Sequence, residues 1–191
     1  MITVDRQRPI AVTAAAALQA VTAVPFVLGT VVVLGYGASA QAAAEAEMTR
    51  QGLPPSLLVE HGIAFGSNTA ELPFAIAIVV VLAALAVFNL RGSRAARTAS
   101  WVVHPVLLVA GTLIIPGQVF TTWYLSTAFA ADPALSRIDA AALVDAAAAA
   151  MPGWLLYANI AKLVLTTVGS MAVVALLALP SARAHFRVAR R

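Results

Sequence analysis

Apolar residues fall in four long runs, separated by segments that hold almost all of the charge. The first run extends from about Pro9 to Gly35 and contains no charged residue. The second, about Leu72 to Leu90, includes the stretch IAIVVVLAALAVF. The third goes from Trp101 to Tyr124, and the fourth from Trp154 to Leu179 with Lys162 as its one charge. A membrane-crossing helix needs about 20 largely apolar residues, and each run is long enough. Lipid offers no partner for a backbone N–H or C=O, so each run is expected to be helical. The pattern predicts an all-α, polytopic membrane protein: a four-transmembrane-helix bundle forming a single domain over residues 1–191, with short helical outer segments.

The intervening segments carry signals of their own. In the first outer connection, residues 36–71, the Ala-rich QAAAEAEMTRQ predicts a helical continuation of span one until Gly52, Pro54 and Pro55 stop it. Asn68 and Glu71 are spaced to cap the start of span two, and Pro73 suits a first helical turn. In the second outer connection, residues 125–153, Asp132-Pro133 is a helix-start signal and Ser136 with Asp139 is a second capping pair. SRIDAAALVDAAAAA is therefore expected to be helical up to Pro152 and Gly153. The remaining segments are a short link, residues 91–100, and a basic tail, residues 180–191.

Charge orients the chain. Arg6 and Arg8, then Arg91, Arg94 and Arg97, then Arg183, Arg187, Arg190 and Arg191 share one side of a four-span bundle. The other side holds Arg50 and Arg137 among seven carboxylates. The excess of basic residues on the cytoplasmic side of membrane proteins places both termini in the cytoplasm. This predicts a multi-pass protein of a bacterial cytoplasmic (inner, plasma) membrane. Ala38-Ser39-Ala40 resembles a signal cleavage site, but the preceding apolar run of about 26 residues far exceeds the roughly 7–15 of a secretory signal.

Composition narrows the chemistry. Hydrophobic residues make up 61% and charged residues 10% of the chain, against about 45–50% and about 25% in soluble domains. Such a share excludes both a soluble fold of this size and a disordered chain. Cysteine is absent, which removes disulfide scaffolds, thiolate metal sites and thiol redox chemistry. No His-x-x-x-His metal pattern, nucleophile elbow or glycine-rich phosphate loop occurs. No catalytic residue, cofactor or metal site is therefore assigned. The net charge of +4 resolves into a basic inner and an acidic outer face, which gives no argument for nucleic acid.

Polar groups within spans are functional candidates, because each is costly in hydrocarbon. Lys162, with Asn159 three residues earlier, Gln118 beside the helix-loosening Pro116-Gly117, and Glu71 at the outer end of span two form a candidate polar cluster. Arg91, Arg94, Arg97 and His104 are candidate contacts to lipid phosphates, and the basic tail offers more. Gln19, near mid-membrane, is expected to bond across to a neighbouring helix. Trp123, Tyr124, Trp154, Tyr157 and, on the inner side, Trp101 fit interfacial belts.

Three function classes follow from these features. The first is a non-catalytic accessory, assembly or regulatory subunit of a larger membrane or cell-envelope complex. Its partners would be the lipid bilayer and either a membrane protein or further copies of itself. The second is a small homo-oligomeric transporter or channel for a lipophilic or small anionic ligand, using the outer polar cluster. The third is a lipid-headgroup enzyme at the outer face, for which no acid–base spacing is found.

Overall fold

The computed structural model describes residues 8–66 and 69–188. Arg6, Arg190 and Arg191, expected to orient the chain, and Asn68, expected to cap span two, lie outside these residues. The described residues are helical, with no strand among them. The helices are α1 (Ile10–Arg50), α2 (Ser56–Glu60), α3 (Leu72–Leu90), α4 (Arg94–Leu113), α5 (Ile115–Val119), α6 (Thr121–Ala131), α7 (Ala140–Ala149), α8 (Leu155–Val164), α9 (Ser170–Ala178) and α10 (Pro180–Val188). A short 3-10 turn, Thr69–Glu71, leads into α3, and one wide π-turn, Leu165–Gly169, joins α8 to α9.

Three stretches are long and apolar enough to cross a membrane: Ile10–Arg50, Thr69–Leu90 and Leu155–Ala178. α1 continues as one helix past the first apolar run, through QAAAEAEMT to Arg50, and carries Pro25 in its interior. It ends where Gly52 takes φ +73°. Gly52 N–H then bonds to Thr49 O and Leu53 N–H to Met48 O, both at 3.0 Å, which satisfies carbonyls at the helix end. α3 stops in the same way at Gly92, φ +76°.

The run expected as a third span is divided. Its helix begins early, at Arg94, and breaks at Ile114 and again at Phe120. Pro116 supplies the reason. Its nitrogen cannot donate to the preceding turn and its ring crowds the carbonyl four residues back, while Pro is well tolerated in the first turn of a new helix.

The chain divides into two compact units. The first holds described residues 8–26, 77–113 and 161–188. One part of its core packs Val12 and Ala15 against Val173, Leu177, Ala182 and Phe186. Another packs Ala23, Leu82 and Leu107 together. Close approach has a local cause here: a Cβ added to Gly111 of α4 would lie 2.8 Å from Thr166 Cβ in the π-turn. Only glycine leaves room here for the Thr166 side chain.

The second unit holds residues 27–66, 69–76 and 114–160. Its core combines Ala40, Ala44 and Met48 of α1 with Leu58, Phe65, Phe129, Leu135, Ile138, Leu143 and Ala147. α7 starts at Ala140, later than the run from Ser136 suggests. Asp139 is its N-cap, accepting from Ala141 N and Ala142 N at 3.0 Å each. Ser136 instead donates to Pro133 O, and Asp132 Oδ1 accepts from Ala134 N in the turn after α6. Gln51 joins α1 to this start, accepting from Asp139 N at 2.8 Å and donating to Asp139 O at 3.3 Å.

Candidate functional site

Four elements of the first unit bring polar side chains to one buried point. Gln19 of α1, Asn89 of α3, Ser100 and His104 of α4 and Ser170 of α9 are all at most 1% exposed. Ser100 and His104 stand four residues apart and so share one face of α4. Gln19 Nε2 donates to Ser100 Oγ at 3.0 Å and contacts His104 Nε2 at 3.1 Å. Asn89 Nδ2 donates to Gln19 Oε1 at 3.1 Å and to Ser100 Oγ at 2.9 Å. Ser100 in turn donates to Ala96 O at 2.9 Å.

This wiring assigns the imidazole tautomer. An amide nitrogen only donates, so His104 Nε2 accepts from Gln19 and the ring proton sits on Nδ1. That nitrogen lies 3.1 Å from Ser170 Oγ, to which it donates. Asn89 Oδ1, by contrast, is buried with no hydrogen-bond partner among the described residues.

The outer face of α4 is the inverse of its inner one. Val102, Val106, Val109 and Leu113 are each more than half exposed, whereas Ser100, His104, Leu107 and Gly111 are buried. A water-soluble helix shows the opposite arrangement, apolar toward the core and polar outward.

A second polar feature lies where α4 begins. Arg94, Arg97, Thr98, Arg183, Phe186 and Arg187 line a pocket of about 460 Å³. Arg94 donates through Nε to Phe186 O at 2.8 Å and through Nη2 to Arg187 O at 3.2 Å. Arg97 donates through Nε to Leu177 O at 3.1 Å. These carbonyls belong to the last turns of α10 and α9, where acceptors lack intrahelical donors and a cation is favoured. The Arg97 guanidinium also lies 5.6 Å from the ring centres of both Trp101 and Phe186. Partial burial, and then the charges of Arg183 and Arg187, lower its pKa from the ordinary arginine value.

The residues singled out by sequence are placed as follows. Of the four lipid-phosphate candidates, Arg94 and Arg97 line the basic pocket. Arg91 lies with its guanidinium 5.7 Å from the Phe88 ring centre, and His104 belongs to the buried network. In the second unit, Asn159 Nδ2 reaches the backbone carbonyl of Gln118 at 3.4 Å, and Glu71 is exposed at the end of the 3-10 turn. Lys162, in the first unit, holds its ammonium 5.3 Å from the Phe26 ring centre. Trp123, Tyr124 and Tyr157 are strongly exposed.

Asn89 and Ser100 carry the buried network but were not among the sequence candidates. Asn89 lies two residues before Arg91 and so resembles an interfacial residue. The i, i+4 spacing of Ser100 and His104 was the available signal, since it gives one helix a polar stripe. No protein-family model matches the chain, and no curated protein or solved structure matches it either.

Proposed function

We propose that the chain is a four-pass protein of a bacterial cytoplasmic membrane, with both termini cytoplasmic, and serves as a non-catalytic accessory or assembly subunit of a larger membrane complex. The carrying observation is that the polar side chains of α1, α3, α4 and α9 bond to one another in the interior, at most 1% exposed. A conduit needs a polar path open to water or cargo, and a buried network of this kind serves instead to fix helix against helix. In this reading the third pass is made by the apolar part of α4 together with α5 and the start of α6. The outward face of α3, with Val80, Ala83 and Val87 exposed, is suited to a neighbouring transmembrane helix because the small side chain of Ala83 permits close approach and the valines offer apolar packing beside it.

The test is cross-linking in native membranes with a photoreactive residue at Ala83, followed by purification in mild detergent. The expected result is a discrete adduct with a second membrane protein, lost when the photoreactive group is moved to the buried Leu82. A chain that stays alone at every salt concentration, and that carries solute across liposome membranes by itself, would overturn the proposal in favour of a transporter.

A further inference from the structure

The pocket at the start of α4 gathers four guanidinium groups and no carboxylate. The Arg50–Glu47 ion pair and the contact of His61 Nδ1 with Asp132 Oδ2 at 3.4 Å lie elsewhere, and neither involves this pocket. Charges that served only to orient the chain would lower their mutual repulsion by spreading apart. Here they are brought together, and two of them are held in place. Arg94 is fixed by two backbone carbonyls of α10, and Arg97 by Leu177 O and the flanking rings of Trp101 and Phe186.

Arg183 and Arg187 complete the group from α10. They lie four residues apart, on one face of that helix, while Ala182 and Phe186 are buried on another. Neither Arg183 nor Arg187 has a side-chain hydrogen bond among the described residues. Arg97 commits only its Nε there, which leaves its two terminal amino groups available as donors. The pocket is thus half rigid and half adjustable, with a hydroxyl at Thr98 and an aromatic wall at Phe186.

From this geometry we infer a binding site for a phosphate-bearing anion, formed by Arg94, Arg97, Arg183 and Arg187. Planar guanidinium forks match the oxygens of a phosphate in pairs, and the volume of about 460 Å³ accepts a phosphorylated headgroup as well as a bare phosphate or pyrophosphate. Arg97 and Arg94 supply a preset cradle, and Arg183 and Arg187 close over the anion. The inference concerns this pocket alone and holds whether or not the chain has a protein partner.

Two sources share this chemistry, an anionic phospholipid and a soluble phosphate compound. The full-length protein in neutral detergent is titrated with phosphatidylglycerol, with phosphatidylcholine and with inorganic pyrophosphate, and binding is read by native mass spectrometry and by the thermal midpoint. The variant R183Q/R187Q removes two of the four charges, and R8Q/R137Q removes the same charge elsewhere. A lipid site is expected to bind phosphatidylglycerol over phosphatidylcholine. R183Q/R187Q would then weaken that binding roughly thirtyfold, and R8Q/R137Q by no more than about twofold. Binding of pyrophosphate with the same dependence on Arg183 and Arg187, and no preference among lipids, assigns the site to a soluble phosphate compound.

Equal losses in R183Q/R187Q and R8Q/R137Q would reduce the effect to net charge and overturn the site, as would the absence of binding by every probe. Should R183Q/R187Q loosen α10, R183K/R187K retains charge and helix while removing the fork. It binds more weakly than the wild type if the site is right, and equally well if it is not.

Discussion

Gln19 and His104, 85 positions apart in the chain, meet through their Nε2 atoms at 3.1 Å in the interior of the first unit. Gln19 is the hub of that network, since it also donates to Ser100 and accepts from Asn89. Replacing it with leucine keeps the volume but leaves three buried partners short of a bond. The expected cost is about 1–3 kcal/mol, measured by reversible denaturant titration in bicelles. Because Asn89 bonds both Gln19 and Ser100, Gln19→Leu and Asn89→Leu together should cost less than their sum. The coupling expected is about 0.5–3 kcal/mol, and strict additivity would show that the contact contributes nothing.

Gly111 and Gly117 make a paired prediction. A methyl group at Gly111 would press on Thr166, whereas one at Gly117 meets nothing within 4 Å. Gly111→Ala should therefore destabilise the protein by about 1–3 kcal/mol through overpacking. Gly117→Ala, in a helix and at ordinary φ, should be neutral or stabilising by about 0.5–1 kcal/mol. Thermal midpoints in one detergent would rank the two, and the reverse order would refute the close-approach account.

The long apolar helices were legible because their signal is additive: some twenty residues of one character outweigh any local ambiguity. α1 beyond Gln41 was legible for a similar reason, since Ala, Glu and Gln all favour helix and no Gly or Pro interrupts them before Gly52. The buried network was only half legible. Gln19 stood out against a run of alanine and valine, but Asn89 sits beside Arg91 and Ser100 beside Trp101, where polar residues are ordinary. Which of them turns inward depends on helix rotation, and tertiary packing sets that. The basic pocket was hidden for a different reason. Arg94 and Arg97 are separated from Arg183 and Arg187 by more than eighty positions, and only the turn at Leu179-Pro180 brings α10 against α4.

The start of α7 distinguishes two capping residues that sequence alone paired. Asp139 accepts from two backbone N–H groups, whereas Ser136 bonds only Pro133 O. Asp139→Ala should cost about 0.5–2 kcal/mol and speed amide exchange at Ala141 and Ala142. Ser136→Ala should fall within about 0.5 kcal/mol of the wild type. Hydrogen exchange with mass readout separates them, and equal effects would contradict the assignment of Asp139 as the cap.

The number of membrane crossings is decided by four cysteine substitutions, introduced one at a time into a chain that has no cysteine of its own. Ala46, Ala95, Ala134 and Ala184 are all exposed, so a cysteine at each is open to a membrane-impermeant maleimide on whichever side it lies. Four crossings put Ala46 and Ala134 on one side and Ala95 and Ala184 on the other. Three crossings, made by Ile10–Arg50, Thr69–Leu90 and Leu155–Ala178 alone, would instead leave Ala95 and Ala134 together, opposite Ala46 and Ala184. The four-pass reading predicts that intact spheroplasts label Ala46→Cys and Ala134→Cys, and that Ala95→Cys and Ala184→Cys react only after lysis. Labelling of Ala134→Cys only after lysis, alongside Ala95→Cys, would mean that the broken segment around Pro116 does not cross. The basic start of α4 and residues 125–153 would then share one face of the membrane.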